Sequence, residues 1–451
     1  MTSISRTSLE DVALNTFHKR LAVYSSAAPF LDGYILSIIG VVMLQMTGAL
    51  NLSIMEQGLI AAAPLVGMFF GGFLVGLLTD KIGRKLLYVL DLLAMVLFSL
   101  AQFWVEDAWW LIALRFLLGV AIGADHPLAT SLLAEFLPKK QRGPILAALV
   151  MMWFIGAAAA YAVGEVILRI GGDDAWRWAL ASAAVPGAIF MLLRHGTPES
   201  ARWLVSKGRI DEAEAVIKKV YGDGYSVDDL AEPETTTKVP ISALFHSGYG
   251  KRIFFVSVFW TCSIIPQFAI YAFAPQILGL MGLEDELASV GSIVITSMFV
   301  IGCLLAVLTI APLGRRKLLI HSFLWSGLAL LLLGFFPDSS VVLTLILFSS
   351  YAVFIGGAQV LQYVYPNELF PTEIRGSAMG LCTSVSRIGA ATGTYLVPLS
   401  LAAIGIGNTM LVCAGISLVG LIVAVLMAPE TRSLELSQAG SLNSQAASLK
   451  S

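Results

Sequence analysis

The chain has 451 residues, of which 57% are hydrophobic and only 13% are charged. Soluble domains carry about 25% charged residues, so this composition excludes an ordinary soluble enzyme. The net charge of -2 excludes nucleic acid as a partner, because a nucleic-acid-binding surface is basic. The four cysteines form no CxxC pair, and we expect neither a disulfide nor a metal site from them.

Twelve apolar segments follow one another along the chain. Stretches such as 59–78, 145–164 and 410–428 contain no charged residue, and roughly 20 apolar residues are what an α-helix needs to cross a bilayer. The polar breaks predict helices near 21–46, 58–79, 86–104, 109–133, 144–168, 177–194, 253–280, 288–311, 317–336, 341–364, 376–403 and 408–428. The sequence therefore predicts an all-α integral membrane protein with 12 transmembrane helices.

A long polar segment divides these helices into two sets of six. We expect an N-terminal six-helix bundle over 1–194, a cytoplasmic loop over 195–252, a C-terminal six-helix bundle over 253–430 and a disordered tail over 431–451. Within the loop, IDEAEAVIKKVY (210–221) has apolar residues at helical spacing, which predicts a short amphipathic helix. Residues 222–240 are typical of a polar linker.

The distribution of Lys and Arg predicts the orientation in the membrane. With both termini inside, cytoplasmic segments hold 24 of the 28 Lys and Arg residues, and cytoplasmic loops carry an excess of these residues. We therefore expect both termini to be cytoplasmic. Short loops and a compact chain favour a bacterial inner membrane, and nothing in the sequence indicates more than a monomer.

An internal repeat relates the two halves. EFLPKKQRG (135–143) returns as ELFPTEIRG (368–376) after an offset of 233, while GRK (83–85) and PES (198–200) return as GRR (314–316) and PET (429–431) after 231. Each half therefore carries the same six-helix plan, and an even number of helices makes the repeats parallel in topology. This plan predicts a transporter with its site between two bundles.

The loop GLLTDKIGRK (76–85) is similar to the signature between the second and third helices of the major facilitator superfamily. RFLLGVAIG (115–123), PESARW (198–203) and the two Glu-to-Arg-Gly segments resemble the sugar porters and metabolite:proton symporters of that superfamily. The resemblance covers nearly the whole chain. It implies alternating access for a small-molecule substrate, with protons and the lipid bilayer as partners and a proton gradient in place of any cofactor.

Charged residues at the predicted cytoplasmic helix ends form a candidate gate. An acid and an arginine there can form charge-assisted bonds in one bundle arrangement that break in the other. The alternative is that these charges only stabilise loops. The second half lacks one of these acids, because Ala311 matches Asp80. The candidate gate residues are Asp80, Arg84, Glu135, Arg142, Arg315, Glu368 and Arg375.

Ionisable groups at membrane depth are costly and are candidates for function. Asp32 in the first helix and Arg115 in the fourth predict an ion pair between neighbouring helices. A conformational change that separates such a pair would favour proton uptake by the aspartate. The resembled proton-linked sugar porters use an acid and an arginine in these helices for coupling. A static pair that fixes helix packing is the alternative.

Two further charges are candidates for substrate recognition. Asp125 lies in GADHP (123–127), which resembles phosphate and organic-solute symporters, and the resemblance implies a substrate or second proton site. Arg387 lies near the middle of the eleventh helix, where it could meet Asp32 or Asp125 or hold a substrate carboxylate bidentately. The resemblance to organic-anion transporters with an arginine in this helix favours an organic acid.

Uncharged cavity candidates lie in the seventh and tenth helices. Gln267 and Tyr271 match the polar residue and tyrosine of the sugar-porter seventh helix. The paired glutamines of those porters are replaced by Thr261 and Cys262, and the tryptophan of their tenth helix is replaced by Tyr363, with Gln362 beside it. These departures weaken a hexose assignment.

The sequence favours a proton-coupled symporter for a small organic acid or related carboxylated metabolite. A sugar or polyol:proton symporter is the alternative within this class. A non-transporting sensor on the same fold is a second alternative, although such proteins usually add a long soluble domain. An enzyme is not expected, because the chain lacks HExxH, GxSxG and P-loop patterns.

Overall fold

The computed structural model describes residues 9, 12–82, 84–194, 196–230, 248–283 and 285–432. The first six membrane helices are α1 (Thr16–Leu50), α2 (Ile54–Ile82), α3 (Arg84–Ala101), α4 (Ala108–Phe136), α5 (Lys139–Ile170) and α6, which consists of Ala175–Ala181 and Ala184–Arg194. The second set is α7 (Gly250–Leu280), α8 (Asp285–Leu313), α9 (Arg315–Phe335), α10 (Val341–Leu369), α11 (372–404) and α12 (406–427).

The expected membrane helices are confirmed with modest shifts at their ends. In the described residues, 11 helices are long and apolar enough to cross a membrane. The last of them, Thr372–Met427, contains two helices, because Gly405 interrupts it with φ 78° and ψ 172°. This positive φ is readily adopted only by glycine, and it lies at the break expected from the sequence.

The polar segment between α6 and α7 contains the expected short helix, Ile210–Tyr221, preceded by a shorter one, Ala201–Ser206. Acids lie in the first turn of the longer helix and lysines in its last turn. These charges interact favourably with the helix dipole and stabilise the helix. Most of the expected linker and nearly all of the expected disordered tail lie outside the described residues.

The sequence repeat is also a repeat of helix contacts. A Cβ atom on Gly71 of α2 would collide with the carbonyl oxygen of Val120 in α4. In the second half, a Cβ atom on Gly302 of α8 would collide with the carbonyl oxygen of Val353 in α10. These positions are related by the same offsets of 231 and 233 found in the loops. Small residues therefore let equivalent helices approach closely in both halves.

The repeated Pro-Glu motifs have equivalent structural roles. The Glu199 carboxylate accepts a hydrogen bond from the Lys85 backbone N–H at the start of α3, at 3.1 Å. The Glu430 carboxylate accepts from the backbone N–H groups of Arg315 and Arg316 at the start of α9, at 3.1 and 3.2 Å. Each acid therefore stabilises a helix N-terminus, where unpaired N–H groups and the helix dipole attract negative charge.

Aromatic side chains hold the two bundles together. Trp153 of α5 packs edge-on against Tyr271 of α7, with ring centroids 5.3 Å apart. The Tyr161 hydroxyl of α5 donates a hydrogen bond to the Tyr271 carbonyl at 2.6 Å, and Phe154 stacks on Phe299 of α8. These contacts extend from the middle of the helices toward the ends opposite the chain termini.

Candidate functional site

Asp32 lies in α1 where this helix touches α5. A Cβ atom on Gly33 would collide with the Trp153 carbonyl oxygen, and one on Gly156 would collide with the Phe30 carbonyl oxygen. The two backbones are therefore in direct contact, which fixes the position of the α1 backbone at Asp32. Asp32 is only 2% exposed, and its Oδ1 atom has no hydrogen-bond partner among the described residues.

Arg387 of α11, in the opposite bundle, lies within electrostatic range of Asp32. The charges of Asp32 and Arg387 interact electrostatically, and both act on the Tyr363 hydroxyl of α10. Arg387 remains partly exposed. Within the described part of the chain its guanidinium makes no hydrogen bond or ion pair. A carboxylate of one bundle and a guanidinium of the other thus interact electrostatically without a hydrogen bond or ion pair between them.

The expected ion pair between Asp32 and Arg115 is not formed. Arg115 is fully buried, and its Nε donates to the Ile60 carbonyl of α2 at 3.0 Å while one terminal nitrogen donates to the Ile35 carbonyl of α1 at 3.4 Å. The side chain is therefore turned toward backbone oxygens rather than toward the carboxylate. Arg115 therefore links α1, α2 and α4. The Ile35 carbonyl that it bonds in α1 lies about one helical turn from Asp32.

Asp125 of α4 has a different partner from those considered in the sequence. Arg194 at the end of α6 forms an ion pair with it, with Nη1 3.1 Å from Oδ1 and Nη2 3.4 Å from Oδ2. The same arginine lies 3.8 Å from Asp91 Oδ1 of α3 and covers the Tyr88 ring at 3.7 Å. Asp125 and Arg194 are both essentially inaccessible to solvent.

The sequence reasoning missed Asp91 and Arg194. The sequence places Arg194 at the end of the predicted sixth helix, next to the polar loop, whereas its side chain turns into the N-terminal bundle and is 1% exposed. Asp91 interrupts an otherwise uncharged stretch of the third helix, and this isolated acid at membrane depth was the signal that could have identified it.

Gln267 and Tyr271 are both buried in α7, on the side of the C-terminal bundle that meets α5. The Gln267 Oε1 atom and the Tyr271 hydroxyl have no hydrogen-bond partner among the described residues. The Tyr271 ring also lies 5.0 Å from that of Phe299. These two polar atoms are available to a ligand that reaches the interface between the bundles.

Gln362 belongs to a buried polar network in the C-terminal bundle. Its amide nitrogen donates to Ser263 Oγ and to Gln359 Oε1, both at 2.7 Å, and the Gln359 amide donates to the Ser263 carbonyl at 3.2 Å. Sequence reasoning did not identify Ser263 or Gln359. Tyr363 lies beside this network, with its ring 5.9 Å from that of Trp260.

One ion pair of the candidate gate is present in the C-terminal half of the protein. Arg315 makes an ion pair with Glu368, with a closest distance of 2.7 Å, and the Thr431 hydroxyl also donates to Glu368. Arg375 donates instead to the Phe370 carbonyl at 3.1 Å. The side chains of the first-half gate residues, which are Asp80, Arg84, Glu135 and Arg142, lie outside the described residues.

Within the part of the chain that the structure describes, no group of three or more His, Cys, Asp and Glu side chains could hold a metal ion. The candidate residues at the bundle interface carry carboxylate, guanidinium, amide and hydroxyl groups, which can bind protons, anions and polar solutes.

Comparisons with known proteins agree with this geometry. The family described as "Sugar (and other) transporter" matches residues 15–442. The "Putative metabolite transport protein YaaU" of Escherichia coli (strain K12) is 41% identical over 434 residues, covering 96% of this chain and 97% of that protein. The "Inner membrane metabolite transport protein YgcS" of the same organism is 38% identical, covering 96% of each chain.

Solved structures show the same fold. The partially occluded inward-open conformation of the xylose transporter XylE from E. coli matches with a TM-score of 0.80 and 19% identity, over 93% of this chain and all of that one. XylE bound to 6-bromo-6-deoxy-D-glucose, described as a major facilitator superfamily protein, matches with a TM-score of 0.77 and 20% identity, over 94% of this chain and 98% of that one. The chain belongs to the sugar (and other) transporter family and has the fold of a solved major facilitator superfamily transporter; it is an integral membrane transporter rather than an enzyme.

Proposed function

We propose that this transporter carries a small organic acid together with a proton. The observation that carries the proposal is the placement of Asp32 and Arg387 on opposite bundles, within electrostatic range of each other and without a direct bond. A substrate carboxylate that enters between them meets a cation on one side and a proton acceptor on the other.

Arg387 is the proposed anion-binding residue. Its guanidinium is partly exposed and has no ion-pair partner in the described part of the protein. A planar guanidinium binds a carboxylate through two parallel hydrogen bonds. A cation held at membrane depth is costly unless an anion accompanies it, so a bound carboxylate would compensate for that cost.

Asp32 is the proposed proton-coupling residue, and its coupling to the substrate follows from charge. While Arg387 is free, its positive charge favours the ionised form of Asp32. A carboxylate bound to Arg387 cancels that charge, so substrate binding favours protonation of Asp32. Because binding linkage is reciprocal, a proton on Asp32 also favours substrate binding. Arg115 acts indirectly in this scheme, by fixing the α1 backbone near Asp32.

Polar residues of the C-terminal bundle would bind the remainder of the substrate. Gln267 and Tyr271 offer buried polar atoms without partners among the described residues, and Gln362 and Tyr363 lie close to the side of Arg387. A carboxylate alone would not need these groups. We therefore favour a carboxylated metabolite that also carries hydroxyl or other polar substituents.

A sugar or polyol:proton symporter is the second candidate. The "Arabinose-proton symporter" and the "Major myo-inositol transporter IolT" of Bacillus subtilis (strain 168) are each 26% identical to this chain. The unpartnered Gln267 Oε1 atom could accept a hydrogen bond from a sugar hydroxyl. In this case Arg387 would serve as a structural counter-charge to Asp32.

We place the transporter in the bacterial inner membrane as a monomer, with the termini in the cytoplasm. The Arg315–Glu368 ion pair then lies at the cytoplasmic end of the C-terminal bundle, where it would act as part of the gate. Alternating access would make and break such contacts as the bundles move.

A ligand screen on the purified protein tests the substrate class. A ligand that binds the folded state raises its melting temperature, by an amount that increases with concentration. We expect small hydroxylated carboxylates to raise it, and the matched neutral alcohols or amides to leave it unchanged. Stabilisation by sugars or polyols, with no response to carboxylates, would overturn the organic-acid proposal in favour of the second candidate.

A further inference from the structure

Two buried carboxyl groups lie beside a single arginine inside the N-terminal bundle. Asp91 of α3 is 6% exposed and Asp125 of α4 is fully buried. The Nη1 atom of Arg194 lies 3.8 Å from Asp91 Oδ1 and 3.1 Å from Asp125 Oδ1. Asp91 Oδ1 accepts a hydrogen bond from the Leu92 backbone N–H. Its Oδ2 atom receives none from a donor in the described residues.

Two buried carboxylates beside one arginine nitrogen favour a shared proton. If both were ionised they would repel strongly, because burial removes the solvent that screens their charges. An ionised carboxylate is only an acceptor of hydrogen bonds, so neither could relieve the repulsion by donating to the other. A proton on one group removes the repulsion and supplies a hydroxyl that can donate to the other, and carboxyl pairs of this kind titrate as a unit.

The surrounding charges do not offset both carboxylates. Arg194 of α6 supplies one positive charge, which lies closer to Asp125 than to Asp91. Among the described residues, Tyr88 of α3 also interacts with both carboxylates, and Asp32 of α1 interacts with Asp125. The side chain of His126 lies outside the described residues. One arginine can neutralise only one of the two carboxylates.

The fold itself does not need charges at these positions. The offsets that relate the two halves place Ser322 at the position of Asp91, Ala358 at that of Asp125 and Val425 at that of Arg194. The same helices therefore pack in the C-terminal bundle with no charge there. The trio in the N-terminal bundle is an addition to the shared architecture, and buried ion pairs add little to stability over apolar packing.

We propose that Asp91 and Asp125 share one proton beside Arg194, and that this carboxyl pair is a second proton site of the transport cycle. The inference rests on the proposed function, in that the protein is taken to be proton-coupled. Asp32 lies within electrostatic range of Asp125 and Arg194, so the charge state of the pair influences the charge at the substrate site.

Infrared difference spectroscopy tests the shared proton without any transport. A protonated carboxyl group has a carbonyl band distinct from the bands of ionised carboxylates. We expect the wild-type protein at neutral pH to show this band and Asp91→Asn to lose it, since the amide can donate to Asp125 in place of the proton. Asp32→Asn serves as the assignment control. A band that is absent from the wild type, or kept in Asp91→Asn, would overturn the shared proton.

Proton-to-solute stoichiometry in liposomes tests the coupling role. We expect Asp91→Asn to carry fewer protons per solute than the wild type, and Asp91→Ser, which copies the second half, to behave in the same way. An unchanged ratio in a variant that has lost the infrared band would make the pair structural and overturn its coupling role. No proton entry in the wild type would instead overturn the proposed function and the coupling role together, while the infrared result still decides the shared proton.

Discussion

Replacing Arg387 by alanine is expected to weaken binding of a carboxylate substrate by roughly 10- to 150-fold, since hydrogen bonds to charged groups contribute about 1.5–3 kcal/mol. The variant loses the guanidinium that would hold the carboxylate, while the neighbouring amides and hydroxyls remain. Equilibrium binding of the best ligand from the screen, measured by calorimetry, gives the change in dissociation constant directly.

Two matched variants make this result specific to Arg387. Arg387→Lys keeps the positive charge but not the planar pair of donors, so we expect an intermediate loss of affinity. Arg169→Ala removes an arginine from the end of α5, where it pairs with Glu165, and should bind as the wild type does. Wild-type affinity in Arg387→Ala would show that Arg387 does not contact the substrate.

The second large effect is expected from Asp32→Asn. Asparagine has nearly the same shape but cannot gain or release a proton, so solute movement should no longer be driven by a proton gradient. In liposomes with an imposed pH gradient, the inside-to-outside ratio of the solute should fall to about one, the value for an uncoupled carrier. Exchange of labelled for unlabelled solute should continue.

The comparison of net accumulation with exchange separates coupling from folding. A misfolded variant would lose both activities, whereas an uncoupled one keeps exchange. Asp173→Asn, which changes an exposed acid between α5 and α6, should retain both. Accumulation by Asp32→Asn at the wild-type level would remove Asp32 from the coupling mechanism.

The helices could be predicted because lipid imposes a simple requirement on the sequence. Each span needs a long apolar stretch with its backbone hydrogen-bonded internally. The twelve expected segments therefore agree with the observed helices, down to the break at Gly405. Helices α2 and α4 also approach closely at Gly119, where a Cβ atom would collide with the Pro64 carbonyl oxygen of α2.

The partners of the buried charges could not be predicted in the same way. A sequence shows the depth of a residue along its helix, but not which neighbouring helix its side chain faces. Their similar depth in the membrane predicts that Arg115 pairs with Asp32. In the structure, Arg115 bonds instead to carbonyl oxygens of α1 and α2. Backbone acceptors of this kind have no signature in the sequence.

The position of Arg194 illustrates a second limit. The sequence places it at the last position of the predicted sixth helix, next to the polar loop, and nothing in the sequence pairs it with Asp125. The side chain is instead directed into the bundle, where it bonds to the carbonyls of Tyr24 and Tyr88 as well as to Asp125. A long arginine side chain places its guanidinium several ångströms from its own Cα. The position of Arg194 along the helix therefore does not show how deep in the bundle its charge lies.

Proton entry driven by the solute tests the central claim most directly. Liposomes that contain the wild-type protein and an internal pH-sensitive dye would receive the identified carboxylate with no imposed gradient, and protein-free liposomes would correct for passive entry of the neutral acid. We predict internal acidification that follows solute uptake and is lost in Asp32→Asn. Protein-dependent uptake of the solute without any change in internal pH would contradict proton-coupled transport.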